Sequence, residues 1–258
     1  MNNALLINLA RQELVDRYAG SVLGSGWAIL RPLVNILIFV LVFSKVMGAR
    51  LALLGSPPSE YSYSIYLVSG LLVWNAFSET ILRITTVFQD KAALIGKIKL
   101  SLPQLPFFII TTEAVIYVLS MAFFAVFLLS IDYPVGWHWA WLLVIFLVQQ
   151  VLAYALGFLG AVIGVFFRDV RELAGIVLQL WFWLTPIVYV FDILPKPVQS
   201  ALIWNPAYII ISAQRQVILY GESPDLGGLA ALLAIACGVV YGTLRAFRRL
   251  ERDIRDFI

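Results

Sequence analysis

The sequence predicts an all-α integral membrane protein with six transmembrane helices, an N-terminal interfacial helix and short re-entrant helices before the last span. Of its 258 residues, 62% are hydrophobic and 13% are charged, whereas soluble domains are about 45–50% apolar. Apolar runs of bilayer-crossing length recur along the chain, with few charges inside them. Lipid rather than water must therefore surround much of the protein, which we treat as one transmembrane domain over residues 1–258.

Residues 1–20 carry an interrupted amphipathic pattern rather than a spanning one. As a helix, one face holds Leu6, Ile7, Ala10 and Leu14, and the opposite face is mostly polar. Helices of this kind lie in the headgroup region with their apolar face toward the acyl chains. We therefore expect an interfacial helix over residues 1–20.

Six later segments are each predicted to span the membrane, because a spanning helix needs about 20 mostly apolar residues. These segments are about 27–47, 62–86, 105–130, 137–166, 173–191 and 227–246. The stretch 192–212 is too interrupted by proline to cross the membrane and too apolar to be a free loop. Irregular backbone at membrane depth must be covered by protein, so we expect short re-entrant helices there on the extracytoplasmic side.

The distribution of basic residues predicts the orientation. With a cytoplasmic N-terminus, 14 of the 18 Lys and Arg residues fall on the cytoplasmic side. The other four, Lys45, Arg50, Lys196 and Arg215, fall on the opposite side. Both termini are therefore predicted to be cytoplasmic.

Ionisable residues inside the spans are few. Glu113, in the third span, has no basic partner evident at matching depth, so a structural hydrogen bond and a pore-lining role stay equally open. Glu79 and Arg83 lie four residues apart in the second span, a spacing that favours an ion pair along one helix face. A proton or ion relay would need more such groups, which argues against a secondary carrier.

The sequence also lacks the motif by which a transporter subunit would bind ATP itself. No phosphate-binding loop occurs, since "IGKIKL" lacks the leading glycine and the Ser or Thr that the motif requires. The chain has one cysteine and one histidine, and we expect no catalytic site, no metal site and no cofactor. A membrane enzyme would need acids gathered at a lipid–water face, whereas the acids here are scattered. If transport is uphill, another subunit must supply the energy.

Two cytoplasmic segments could dock such a subunit. The first, about residues 89–104, carries Lys91, Lys97 and Lys99. The second is the turn "FFRDVREL", with Arg168 and Asp169. Mixed charges at a turn are also typical of a solvated cap, so both interpretations stay open here.

The fourth span has small residues at helix-packing spacing. Ala153, Gly157 and Ala161 follow one another at intervals of four residues. Small residues at this spacing let two helices approach closely. The pattern predicts tight packing of the fourth span and says nothing about transport.

Several motifs resemble a known family. "RQELVDRYAGSVLGSGWAILRPL", "VFFRDVREL", "WLTPIVY", "NPAYIII" and "LYG" occur in the order found in type-2 ABC exporter permeases that move polysaccharides, and "RRLERDIRDFI" resembles their tail. The similarity covers about residues 8–258 and is greatest with exporters of O-antigen or related lipid-linked glycans of Gram-negative bacteria. Capsule and teichoic-acid exporters are close siblings. A permease for another lipid or a small amphiphile is the alternative.

The resemblance implies an assembly and a substrate. It implies a homodimer in the inner membrane, a channel at the dimer interface, and two separate ATPase subunits that hold the ATP and Mg. The substrate would be an undecaprenyl-pyrophosphate-linked glycan. Segment 89–104 would couple to the ATPase, 192–212 would form gate helices, and Arg17 and Tyr18 would handle the pyrophosphate or the gate. Arg17 could equally extend to lipid headgroups.

Aromatic residues of the fifth span are the predicted channel lining. Phe182, Thr185 and Tyr189 share a helical stripe with Trp181 beside it, and Trp74 and Phe39 are assigned to the same lining. Rings also form belts at membrane interfaces, which is the alternative interpretation. Under the resemblance, ring faces would bind sugar C–H faces weakly and repeatedly, so that a glycan could slide.

Overall fold

A computed structural model describes residues 3–17, 20–47, 61–95, 101–167 and 169–257 of the chain. Within these ranges the secondary structure is entirely helical. The α-helices are α1 (Asn3–Asp16), α2 (Trp27–Met47), α3 (Ser62–Asp90), α4 (Ala92–Ile95), α5 (Phe107–Ser130), α6 (Trp141–Phe166), α7 (Val170–Leu184), α8 (Lys196–Leu202), α9 (Pro206–Leu219) and α10 (Leu226–Phe257). Short 3-10 turns precede α2, α5, α6 and α8.

Four described helical segments are long and apolar enough to cross a membrane. They are Ser62–Asp90, Leu102–Ser130, Trp137–Phe166 and Leu226–Ile254. Each contains one predicted span or nearly all of it, so the second, third, fourth and sixth predictions are confirmed as helices. The first predicted span coincides with the 21-residue α2, whose apolar segment is Leu33–Val42.

The fifth predicted span differs from the structure. Helix α7 has 15 residues and ends at Leu184, which gives a length of about 22 Å against a hydrocarbon core of about 30 Å. Thr185 is extended, with φ −107° and ψ 136°, because the ring of Pro186 disfavours helical backbone at the preceding residue. The predicted fifth span, about 173–191, is therefore α-helical only to Leu184.

The segment after this bend forms short helices, as its broken pattern predicts. A 3-10 turn at Phe191–Ile193 leads into α8 and then α9. Helix α9 begins with a regular cap, in which the Asn205 side chain accepts a hydrogen bond from the backbone N–H of Ala207 at 3.0 Å. Pro206 occupies the first helical position, where no N–H is needed. Helix α9 packs against both α3 and α6.

Helix α3 is the centre of the fold, since it contacts α2, α5, α6, α7 and α9. Its partner α6 approaches through small residues. A Cβ built on Gly157 would lie 2.7 Å from Cβ of Ile84, and one built on Gly160 would lie 2.7 Å from Oγ1 of Thr85. The close packing predicted from the small-residue spacing is thus confirmed.

Replacing Gly157 with alanine is expected to destabilise the protein by about 1–3 kcal/mol, because the added methyl group must displace α3. Gly238 of α10 is the matched control, since a Cβ there would meet no atom within 4 Å among the described residues. Thermal unfolding of the two variants in detergent measures the difference. Equal melting temperatures would contradict the close α3–α6 contact.

Candidate functional site

A polar cavity of about 270 Å³ lies among α2, α3 and α5. Its polar lining comprises Arg17, Asn35, Asn75, Glu79, Glu113 and Ser120. Asn75 lies near the middle of the 29-residue α3 and is exposed, as is Asn35 of α2. Polar side chains at this depth face a protein interior or water rather than lipid. The cavity is therefore a polar surface beside a helix of membrane-spanning length.

One wall of the cavity is an ion-paired arginine that follows α1. The Arg17 guanidinium donates through Nη1 to Oε1 of Glu113 at 3.0 Å and through Nη2 to Oε2 of Glu79 at 3.1 Å. Glu113 is 3% exposed, whereas the Glu79 side chain is 47% exposed. Arg17 thus joins α3 and α5 at the edge of the cavity.

The ion pairs continue away from the cavity along α3. Arg83 donates through Nη1 to Glu113 at 2.5 Å and through Nη2 to Glu13 at 2.7 Å. Lys91, just after α3, pairs with the other carboxylate oxygen of Glu13 at 2.9 Å. We call these six residues the charge network: Glu13, Arg17, Glu79, Arg83, Lys91 and Glu113. Their formal charges sum to zero.

The charge network corrects two expectations from the sequence. Glu113 has two basic partners, Arg17 and Arg83, one of them 96 residues away in the chain. The expected pair between Glu79 and Arg83 is not among the salt bridges of the described residues. Both guanidinium groups turn instead toward the carboxylate of Glu113, because a buried charge needs its partners more than a half-exposed one does.

Glu13 is held in its charged form by the network. Burial alone would raise the pKa of its carboxyl, but hydrogen bonds and positive charges from Lys91 and Arg83 hold that pKa below its ordinary value. A carboxyl whose pKa is lowered by folding stabilises the fold at neutral pH, and this contribution is lost as the pH falls through the lowered pKa. Helix α1 is thus attached to α3 across the neutral range.

The structure gathers several predicted lining residues into one aromatic cluster. The Trp181 ring lies 6.2 Å from Trp74 and 5.5 Å from Phe77, and the Phe182 ring lies 5.7 Å from Trp74, between centroids. Trp74 is 6% exposed, whereas Trp181 and Phe182 are half-buried. The open faces of Trp181 and Phe182 are the parts of this cluster that a solute could reach.

Trp181 and Thr185 also hold the junction between α7 and α9. The Trp181 indole N–H donates to Oδ1 of Asn205 at 2.8 Å, and the amide of Asn205 donates to Oγ1 of Thr185 at 2.9 Å. Thr185 is fully buried, so in this conformation its side chain serves the fold rather than a channel wall. Its role in a lining remains a prediction, as does that of Tyr189, which is half-buried. Phe39 lines the cavity described above.

Side chains from α3 and α9 bind the carbonyl oxygens of four consecutive residues, 186–189. Arg215 donates to Pro186 at 2.7 Å and to Ile187 at 2.8 Å, Tyr63 donates to Val188 at 2.7 Å, and Tyr66 donates to Tyr189 at 3.1 Å. We call Arg215, Tyr63 and Tyr66 the carbonyl clamp. Non-helical backbone in a membrane protein needs such partners, so the clamp explains how the chain can bend after α7.

Arg215 has a structural role that its sequence position alone does not predict. The distribution of basic residues predicts that it lies on the outer side of the membrane, and within α9 it is 5% exposed. Its guanidinium lies 3.4 Å from the Tyr66 ring centroid, and a Cβ on Gly70 would come within 2.7 Å of its Nη2. An ionisable residue inside the apolar pattern "YIIISAQRQVIL" was the available signal, because such a charge requires partners.

The predicted coupling residues are only partly described. Lys91 belongs to the charge network, and its ammonium also lies 5.4 Å from the Phe108 ring centroid. Asp169 directly precedes α7. Lys97, Lys99, Arg168 and Tyr18 lie outside the described residues, so their predicted roles stay predictions.

Comparison with known proteins decides the family. The sequence profile described as "ABC-2 type transporter" matches residues 4–219. The chain belongs to the ABC-2 type transporter family. Members of this family are the membrane subunits of ABC transporters, a class that agrees with the apolar helices and with the resemblance stated above.

Curated relatives match this ABC-2 type chain over most of their length. O-antigen export system permease protein RfbA of Myxococcus xanthus is 27% identical over 98% of this chain and 95% of that protein. A protein of the same name from Klebsiella pneumoniae is 23% identical over 84% and 81%. Polysialic acid transport protein KpsM of Escherichia coli is 22% identical over 93% and 91%.

Proposed function

We propose that the chain is the permease subunit of an ABC transporter that exports an undecaprenyl-pyrophosphate-linked polysaccharide of the O-antigen kind. The observation that carries this proposal is the polar cavity beside α3, with its exposed amides, in an ABC-2 type chain. Exposed amides on α2 and α3 suit a hydroxylated cargo, whereas a purely lipid cargo would not require them. The names of the matched relatives support the same substrate class.

The proposed assembly is a homodimer of six-span subunits in the bacterial inner membrane, with both termini in the cytoplasm. In this arrangement α7 and the bend after it form the fifth span, and α8 and α9 are re-entrant gate helices on the outer side. Exposed apolar residues on α2 and α7, such as Leu41 and Leu180, would face lipid or the second copy. Neither a catalytic site nor a cofactor belongs to this subunit, and ATP and Mg are held by the partner ATPase.

The charge network supports a proposed route of coupling. Segment 89–104 would contact the ATPase, and Lys91 within it is ion-paired to Glu13. From Glu13 the network continues through Arg83 and Glu113 to Arg17 at the cavity. A displacement of Lys91 would therefore be transmitted to the cavity through a continuous series of ion pairs.

Two further roles are proposed for the substrate path. The half-buried rings of Trp181, Phe182 and Tyr189 would provide a sliding surface for sugars near the exit. In a second conformation, in which the more exposed Glu79 has moved away, Arg17 would contact the pyrophosphate; in the described conformation its guanidinium is paired with Glu79 and Glu113. The guanidinium offers a paired set of donors that matches a phosphate.

Deleting the gene tests the proposed function. In the source organism, the deletion should abolish display of the glycan at the cell surface and cause its lipid-linked form to accumulate inside, because synthesis continues without export. Surface glycan is measured with a lectin or antibody, and the internal pool by lipid extraction. A plasmid copy should restore display. Unchanged display, with a different lipid accumulating inside, would indicate a permease for another amphiphile.

A further inference from the structure

Resting on the proposed function, we propose that the cavity among α2, α3 and α5 binds one uncharged, hydroxylated sugar unit of the passing glycan rather than its pyrophosphate. Asn35 and Asn75 are the side chains that would contact the hydroxyl groups. The inference rests on the charge balance of the cavity, on these two amides and on its size.

The charge balance disfavours a stable anion in this conformation. The guanidinium of Arg17 is already bonded to two carboxylates, those of Glu79 and Glu113, and the charge network as a whole is neutral. A phosphate placed beside Arg17 would lie next to these carboxylates, and like charges at such distances repel strongly where water is scarce. A neutral ligand meets no such repulsion.

The amides supply the hydrogen-bonding groups that a sugar needs. Neither the Asn35 nor the Asn75 side chain has a hydrogen-bond partner within the described part of the chain, although both line the cavity. An amide donates and accepts at once, as does each sugar hydroxyl. The half-exposed carboxylate of Glu79 adds acceptors on the same face of α3, one helical turn from Asn75.

The size and remaining walls suit a single sugar unit. The cavity volume of about 270 Å³ is just below the range of about 300–1,000 Å³ that holds drug-sized ligands, so a long chain cannot be enclosed. Phe39 and Leu72 form apolar walls, against which the C–H face of a sugar can pack. The glycan would thus occupy the cavity one unit at a time as it moves.

Binding of two soluble probes tests the proposal on the full complex with its ATPase in nanodiscs. The probes are the neutral oligosaccharide released from the exporter's own lipid-linked glycan by mild acid, and inorganic pyrophosphate. Saturation-transfer NMR should detect the oligosaccharide. Combined Asn35→Leu and Asn75→Leu substitutions should weaken its binding roughly tenfold. Asn8→Leu, at an exposed amide of α1 outside the cavity, should leave it unchanged.

Three results would overturn the inference: no oligosaccharide binding to the unaltered complex, equal binding by the double variant, or displacement of the sugar by pyrophosphate. Asn75→Ser keeps a hydroxyl in the cavity and should retain part of the oligosaccharide binding. It therefore serves as the control for misfolding of the double variant. A different result distinguishes failure of this inference from failure of the proposed function. If gene deletion abolishes glycan display but the double variant restores it fully, the cavity assignment alone is wrong.

Discussion

Replacing Arg215 with methionine is expected to destabilise the protein by about 3–5 kcal/mol, among the largest effects of any single substitution here. The guanidinium donates to the carbonyl oxygens of Pro186 and Ile187, and also to that of Tyr66 at 3.2 Å. Methionine fills a similar volume but donates nothing, so the Ile187 carbonyl loses its donor. The Pro186 carbonyl keeps only a 3.4 Å hydrogen bond from Tyr66, and the Tyr66 carbonyl keeps the one from Ser69. Each such loss costs about 1–3 kcal/mol, and a membrane interior has little water to replace it.

Thermal unfolding in detergent measures this effect, with Lys196→Met as the control. Lys196 is an exposed cation at the start of α8, and its loss should change stability by no more than about 0.5 kcal/mol. Arg215→Lys should fall between the two, because one ammonium cannot reproduce the fork of a guanidinium. If Arg215→Met and Lys196→Met melt at the same temperature, the carbonyl clamp does not hold the bend after α7.

Replacing Glu113 with glutamine is the second substitution with a large expected effect. The change keeps the side-chain shape but removes the negative charge shared by Arg17 and Arg83. The network then carries an uncompensated positive charge at a buried position, and breaking a buried ion pair in this way costs about 3–5 kcal/mol. We expect α1 to detach from α3 and α5 before the rest of the protein unfolds, because Arg17 follows α1 directly.

Limited proteolysis with trypsin measures whether α1 has detached. Arg11 is exposed on α1, and cleavage after it should become faster in Glu113→Gln while the remainder of the chain stays intact. Glu222→Gln removes an exposed acid from the loop before α10 and serves as the control. Unchanged cleavage in the Glu113 variant would mean that α1 is held by apolar packing alone.

The sequence predicted the helices well because their signal is local. Apolar length alone located α3, α5, α6 and α10, and the spacing of Gly157 and its neighbours predicted the tight contact with α3. In the fifth span the apolar run continues through Pro186, whereas α7 ends at Leu184, because Pro186 disfavours helical backbone at Thr185.

The site was less predictable because its contacts join distant parts of the chain. Glu113 looked unpaired, since its partner Arg17 lies in a segment assigned to the membrane surface. Asn35 and Asn75 are not predictable as site residues, because a single amide inside an apolar run has no periodic pattern. The sequence predicts the rings of the fifth span as a channel lining. It does not predict that Trp181 and Thr185 bind Asn205, because these contacts depend on the bend after α7.

Reconstitution in liposomes tests whether the chain and its ATPase export the lipid-linked glycan. The purified chain and its ATPase are placed in liposomes loaded with the lipid-linked glycan in the leaflet facing the ATPase, and movement is followed by a lectin added to the opposite side. We expect ATP-dependent appearance of the glycan there, absent when the ATPase cannot hydrolyse ATP. ATP-dependent movement of other lipids, with the glycan left in place, would contradict it.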